Sequence, residues 1–540
     1  MIFSEKHTTD ADILNVPTSQ IFDNIVVFVN FAKYMDLTGI ARHIFAARSR
    51  EISSWQGKEQ QFQQNLLKKM LKSAASTSFG HLYDFNDIVA SSDPVETFKK
   101  NIPIQDYEGF RNMIVRMMRG EKDVLWPGKC DYFAQSSGTT GGRTKYIPVT
   151  KDGLKHNHYK GASCSVALYL AENPQSRMFA GKGLVLGGSF ATDFASHRED
   201  AHIGDLSATL IECINPFANF FRVPDKKTAL LEDWAEKLPL LAEKAAKSDI
   251  TNLSGVPSWM MRVLLKVLEI KGAHSLAEVW PHLEVFFHGG ISFAPYKAEY
   301  ARLCEGLDMH WIEVYNASEG YFATGDTTRE KGMLLLVDAG VYFEFLPLGS
   351  DTPVDIPDLK TGKVYELVVT SCNGLWRYRT GDTVRIENLD PLRISIAGRT
   401  KSFINAFGEE LMEDNAEHAV AEACRRTGAS IANYCAGPLY AHEEQRGRHQ
   451  WLIEWNNPPA SVSHFAEILD EELRKANSDY DAKRGHSLFL DPPEIISARH
   501  GLFDLWLSES GSGKLGGQRK IPRLHNSREI IERLISLNNQ

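Results

Sequence analysis

The chain has 540 residues, 43% of them apolar, which is too long for one core and leads us to expect two or three domains. A formal net charge of −9 gives no support to a nucleic-acid or anionic-membrane partner. Seven scattered cysteines, none in a Cys-x-x-Cys pair, point to reduced thiols in a cytoplasmic protein rather than to a disulfide framework.

Residues 1–18 read as a loose leader. Glu5, Lys6, Asp10 and Asp12 precede any apolar run, so no secretory signal is expected, and Ile25–Phe31 is too short to span a bilayer. From about 25 to 76 the pattern is helical, with Phe62, Leu66, Leu67 and Met70 at helix spacing. Pro103, Asp106 and Tyr107 open another short helical stretch. Gly183–Gly187 reads as a buried strand, 233–247 as a helix, and Trp259–Ile270 as a helix after a Pro257-Ser258 start. Strands are expected at Leu283–Phe287, ending in His288-Gly289-Gly290, and at Met309–Val314, ending at Tyr315. This alternation predicts an α/β domain with a mainly parallel sheet. Short strands at 334–346, 364–371, 377–379 and 383–387 predict an attached β-rich subdomain. Beyond about 400, helix 411–426, strands 431–436 and 450–455, helix 462–476 and an apolar stretch at 502–507 predict a small α+β domain of order αββαβ.

Residues 136–148 are the most informative segment. Hydroxyls, glycines and two cations, Arg143 and Lys145, lie between two apolar, strand-like flanks. Glycines let successive N–H groups curl around one hollow, which suits a polyphosphate. The spacing is not that of a Walker A loop. A flexible Ser/Gly/Thr linker is the plainer reading, but linkers are seldom bounded by two strands.

Three strand ends carry further polar groups, where open α/β sheets bind ligands. His288-Gly289-Gly290 leaves room for a flat ring, or is an ordinary strand exit. Tyr315-Asn316-Ala317-Ser318-Glu319 offers an aromatic face, a hydroxyl and a carboxylate suited to Mg²⁺. It is also readable as a helix N-cap, Ser318, followed by a first-turn acid. Tyr378-Arg379-Thr380-Gly381-Asp382 places a carboxylate where a ribose diol can donate two hydrogen bonds, or is a plain Gly-Asp turn.

Taken in order, and followed by Gly398-Arg399-Thr400-Lys401, these motifs make the chain resemble the adenylate-forming superfamily of acyl-CoA synthetases, peptide-synthetase adenylation domains and luciferases. Within it the chain most resembles the auxin-responsive acyl-acid amido synthetase family, including its bacterial members. Ser-Ser-Gly-Thr-Thr-Gly-Gly, the Ser of Tyr-x-x-Ser-Glu, Phe343-Glu344-Phe345-Leu346-Pro347 and Gln518-Arg519-Lys520-Ile521-Pro522-Arg523 pull toward that branch. The likeness runs from about 60 to 525.

The resemblance implies a large N-terminal domain over 1–398, which binds ATP and an acyl acid, and a small mobile C-terminal domain over 399–540. It implies that Ser136, Ser137, Gly138, Thr139, Thr140, Gly141 and Lys145 hold the β- and γ-phosphates. Gly289, Gly290 and Tyr315 would sandwich adenine, Ser318 would meet the α-phosphate and Glu319 would bind Mg²⁺. Asp382 would clasp the ribose with Arg399 beside it, and Lys401 would be the hinge. A C-terminal lysine should reach the α-phosphate. Lys514 fits the general superfamily pattern and Lys520 the amido synthetase pattern, and we choose Lys520.

Other signals are discounted. Gly511-x-Gly513-x-x-Gly516 has no βαβ unit after it. His156 and His158 read as solvated loop histidines, and Lys99, Lys100, Arg116 and Arg119 as solvated helix faces. Val256, Trp259 and Met260 either line an acyl pocket or belong to the core. The expected activity is adenylation of a small carboxylic acid with ATP and Mg²⁺, then transfer of the acyl group to an amine, an amino acid above all. The alternatives are transfer to coenzyme A, or a nucleotide-binding regulator without turnover.

Overall fold

A computed structural model of the protein describes residues 36–136, 145–190, 201–290, 293–328, 330–399, 403–404, 409, 411–439, 447–477, 480–481, 484, 490–509, 521–525 and 527–540. Of Ser136 and Arg399 only the backbone is described. Ser137 to Gly141, Lys401, Lys514 and Lys520 lie outside the described residues, as does the whole stretch before Asp36.

In chain order the strands are β1 (Tyr132–Ser136), β2 (Lys145–Val149), β3 (Lys182–Val185), β4 (His202–Gly204), β5 (Arg222–Val223), β6 (Ile250–Gly255), β7 (Val285–Gly289), β8 (His310–Ala317), β9 (Gly320–Thr324) and β10 (Met333–Leu335). They continue as β11 (Val341–Pro347), β12 (Val364–Ser371), β13 (Leu375–Leu389), β14 (Leu392–Arg399), β15 (Phe403–Ile404), β16 (Leu411–Met412), β17 (Ser430–Leu439), β18 (Arg448–Asn457) and β19 (Glu494–Ala498).

Eleven strands form one sheet, ordered β11-β12-β13-β14-β10-β9-β8-β7-β6-β3-β5. From β5 to β8 the pairs are parallel; from β8 to β11 they are antiparallel. The expected β-rich subdomain is therefore not a separate sheet. Its strands extend the parallel sheet edgewise, with β8 as the strand where direction switches. On the antiparallel half, Trp376 of β13 packs against Phe85 and Phe98 of the N-terminal helices, in one core with Trp55. A second core, with Leu253, Leu264, Trp280 and Phe286, covers the parallel half.

Helix ends follow local chemistry. The helix Pro257–Lys271 opens on proline and closes on Gly272 in the left-handed region, φ +63°. The helix Tyr107–Met118 is capped by Asp106, whose carboxylate accepts from the Glu108 N–H at 3.0 Å.

After Arg399 a separate three-stranded sheet, β17-β18-β19, packs against helices Glu413–Thr427 and Val462–Ala476 around Tyr434, Trp451 and Phe465. The expected order holds up to its last element. Residues Leu502–Glu509 are helical, and the final strand is β19, which the sequence reading missed. Its alternation is weak: Glu494–Ala498 is only partly buried, so one polar-to-apolar rhythm does not stand out.

Candidate active site

The motif residues that the structure describes gather around the switch strand β8 and the middle of β13. β8 and β9 form a tight hairpin in which Ala317 pairs with Gly320, so Ser318 and Glu319 are its two turn residues. This corrects both the helix N-cap reading and the expectation that the strand ends at Tyr315. The apolar run Gly320–Thr324 pairs back on β8 instead of coiling into a helix.

The turn is held from three sides. Asn157 accepts from the Tyr321 N–H at 2.7 Å and donates to the carbonyls of Tyr321 at 2.9 Å and Ala339 at 2.6 Å. His158 Nδ1 meets the Asn316 side-chain oxygen at 3.0 Å. Asn373 accepts from the Thr150 N–H at 3.1 Å, and its amide lies 3.5 Å from the Glu319 carbonyl. Asn157 and His158 belong to a π-helical turn, Gly153–His158, a form found mostly as single turns near functional sites.

His158 is therefore not a solvated loop histidine. It is 1% exposed, and burial pushes its pKa down to about 4, so it is neutral at neutral pH. His156 does stay half-exposed, 3.8 Å from Asp152. Lys99 also departs from the solvated reading: it bridges Glu96 at 3.1 Å and Asp355 at 2.6 Å.

Tyr315 and Asp382 meet directly. The Tyr315 hydroxyl donates to Asp382 Oδ2 at 2.7 Å, and both side chains are buried. The Tyr315 ring packs edge-on against Phe322, with centroids 4.9 Å apart. Asp382 does not follow a plain turn, because Leu375–Leu389 is one continuous strand. Glu366 pairs with Thr383 and Val368 with Arg379, so Leu367 alone faces Thr380, Gly381 and Asp382. This is a bulge, with Gly381 at φ +77° supplying the left-handed residue. Thr380 Oγ1 donates to the Leu367 carbonyl at 3.0 Å and accepts from the Asp382 N–H at 3.0 Å. On the neighbouring strand Arg399 lies directly opposite Asp382.

At the end of β7, a Cβ on Gly289 would lie 2.3 Å from the Val314 carbonyl oxygen of β8. Gly290 sits at φ +84°, where a side chain is strained, and a Cβ there would lie 3.2 Å from Val256. Backbone geometry alone thus requires both glycines. His288 is buried and stacks on Phe293, centroids 4.3 Å apart; burial holds its pKa down at about 3. The acyl-pocket candidates separate. Met260 is fully buried in the core beneath the helix, while Trp259 is half-buried, edge-on to Trp234 at 4.9 Å. Val256 faces Gly290.

A buried ion pair was not foreseen. Arg377 forks onto Glu344 at 2.9 and 2.7 Å and also donates to the Ile102 carbonyl at 2.6 Å. It ties Phe-Glu-Phe-Leu-Pro of β11 to the bulged strand β13. Glu344 lies within a motif and Arg377 directly precedes one, but no sequence signal pairs them.

Three domain families match this chain in order: the GH3 family N-terminal domain over 48–309, the central domain over 334–399 and the C-terminal domain over 414–529. The chain belongs to the GH3 family. Among its relatives is a probable indole-3-acetic acid-amido synthetase, GH3.1, of Oryza sativa subsp. japonica, 23% identical with 88% of each chain covered. Another is the jasmonoyl–L-amino acid synthetase JAR6 of Nicotiana attenuata, 24% identical over 60% of this chain and 66% of the relative. The fold is that of the acyl acid amido synthetase AtGH3.15, solved in complex with 2,4-DB, at TM-score 0.72 and 19% identity over 91% and 95% of the two chains. A 2-hydroxyisobutyryl-CoA ligase shares the fold more distantly, at TM-score 0.55 and 12% identity over 88% and 92%. The family and the ligase class expected from the motif order are both borne out. Among the described residues no helix is long and apolar enough to cross a membrane.

Proposed function

We propose that this GH3 protein joins a small carboxylic acid to an amine, an amino acid above all, through an acyl-adenylate made from ATP. The observation that carries the reading is the Tyr315–Asp382 contact one hairpin turn away from Glu319. It gathers an aromatic face, a diol acceptor and a buried carboxylate at the switch strand of an α/β sheet, where such sheets take ligands.

In this reading Tyr315 with Gly289 and Gly290 flanks adenine, and Asp382 accepts from the ribose hydroxyls with Arg399 across the ladder. Ser318 faces the α-phosphate. Residues 136–141 and Lys145 hold the distal phosphates. Glu319 is the carboxylate suited to Mg²⁺, which when bound supplies charge neutralisation for the phosphates. The acid's carboxylate oxygen attacks the α-phosphorus and pyrophosphate leaves. The amine then attacks the acyl carbon and AMP leaves. Two anions approach in the first step, so fixed donors and a C-terminal lysine, Lys520 in preference to Lys514, contribute mainly electrostatically. The divided organisation, 1–398 and 399–540 with a hinge at Lys401, would bring that lysine in and later clear a path for the amine. Seven free cysteines, six of them buried, fit a reducing cytoplasmic setting.

Acid-dependent exchange of pyrophosphate into ATP, run over a panel of small acids, tests the first half. Mass analysis of products with amino acids and with coenzyme A tests the second. Exchange and amide formation are expected. Nucleotide binding without exchange for any acid would leave a regulator, and a thioester in place of the amide would leave a coenzyme A ligase.

A further inference from the structure

One cavity is lined by none of the residues of the Tyr315–Asp382 site. It has a volume of about 370 Å³, within the range of small-ligand pockets. It opens beside the first pair of the β1–β2 hairpin, Tyr132 and Val149, about 13 Å up the strand from Ser136 at ~3.3 Å per residue. Leu154 and Tyr159, from the π-helical turn and the helix after it, complete an apolar wall. Tyr159 is fixed in place by donating to the Leu210 carbonyl at 2.9 Å.

Three ammonium groups, of Lys129, Lys151 and Lys155, ring this apolar space. Of the nearby acids, Asp131 pairs with Lys129 at 3.2 Å and Glu212 with Lys226 at 2.6 Å, while Asp152 accepts from the Trp126 indole at 3.0 Å and lies 3.8 Å from His156. Lys151 and Lys155 are exposed and have no carboxylate partner among the described residues. The cavity therefore presents apolar walls under a net positive rim, in which Lys151 and Lys155 outnumber Asp152. Cys213, at the end of the helix Leu206–Cys213, also lines it, and is the one cysteine of the chain that is not buried.

We propose that this cavity is a second ligand site, which takes a small amphipathic carboxylate: an aromatic or branched apolar body against Tyr132, Val149, Leu154 and Tyr159, and its anion between Lys151 and Lys155. A neutral molecule of the same shape loses the rim, and a small inorganic anion loses the walls. The site touches the hairpin that carries the hydroxyl- and glycine-rich segment, yet shares no residue with the proposed nucleotide contacts.

Cys213 supplies the reporter. The full chain, without ATP or amine, is treated with N-ethylmaleimide, and modification of the Cys213 peptide is followed by mass spectrometry with 1-naphthoate, 1-naphthamide, acetate or inorganic phosphate present. Equilibrium dialysis of 1-naphthoate, taken as the part of the binding that Lys151→Glu combined with Lys155→Glu removes, reads the same site without the thiol and apart from any acid bound at the nucleotide centre. 1-Naphthoate is expected to slow modification and to bind in dialysis, while the amide, acetate and phosphate do neither. Lys151→Glu combined with Lys155→Glu should weaken both effects about tenfold or more, since two partly exposed ion pairs at up to ~1 kcal/mol each are lost. Leu154→Trp should fill the cavity and abolish them. Equal protection by the amide or by phosphate, or dialysis binding unchanged in the double-lysine variant, would overturn the proposal. Because no turnover is measured, these results stand whether or not the protein proves to be a ligase.

Discussion

The Tyr315 hydroxyl donates to the Asp382 carboxylate at 2.7 Å across a sequence separation of 67 residues, and so couples the switch strand β8 to the bulge of β13. One oxygen of Asp382 is engaged by a neutral donor that also fixes the carboxylate's rotamer. A carboxylate held in this way is ready for a diol without further ordering.

Asp382→Ala should weaken ATP binding by about tenfold or more, because a hydrogen bond to a charged acceptor contributes about 1.5–3 kcal/mol. Tyr315→Phe should cost less, since it removes only the orienting donor. The double variant should fall short of the sum, as residues in contact are coupled. Calorimetric titration of ATP checks all three; unchanged affinity in Asp382→Ala would return the bulge to a structural role.

Glu319→Ala should abolish Mg²⁺-dependent pyrophosphate exchange while the far-UV circular dichroism stays native. Asn157, His158 and Asn373 hold the hairpin turn through atoms other than the Glu319 carboxylate, so the native spectrum is expected to persist. Full exchange in the variant would remove the metal assignment.

His158 gives a pH signature. Its folded pKa, about 4, lies below the ordinary histidine value of 6.5, so between these values the unfolded chain binds more protons than the folded one. The stability it contributes is complete above about pH 6.5 and is lost as pH falls toward 4. His288, lowered to about 3, acts in the same direction. Urea midpoints measured from pH 7.5 to 4.5 should therefore fall for the native chain. They should fall less steeply for His158→Gln, which has no such proton to bind. Parallel curves would contradict the buried, neutral state.

The two C-terminal lysines separate by rate. Lys520→Ala should slow adenylation by about a hundredfold or more, the scale on which one preorganised donor to developing charge acts. Lys514→Ala should be mild. The arm just after Lys520 is anchored on β17: the Ala436 N–H donates to the Arg523 carbonyl at 2.7 Å, and the His525 N–H donates to the Ala436 carbonyl at 3.0 Å. Arg523 stacks over Tyr434 at 4.7 Å. A severe loss at Lys514 with none at Lys520 would reverse the assignment.

Much of this protein was legible in its sequence. Helices Val462–Ala476 and Pro257–Lys271 follow from apolar spacing, caps and a terminal glycine, all of which act within a few residues. The site's residue types were legible too, because carboxylate, tyrosine and glycine carry their chemistry wherever they stand. Tertiary structure decided how those residues are used. Whether Ser318-Glu319 caps a helix or turns a hairpin depended on Gly320–Thr324 finding β8 and β10 as partners. Whether Gly381-Asp382 makes a turn or a bulge depended on the register between β12 and β13. The burial of His158 and the meeting of Tyr315 with Asp382 likewise arise from packing between distant segments, where no local pattern records which strand will lie beside which.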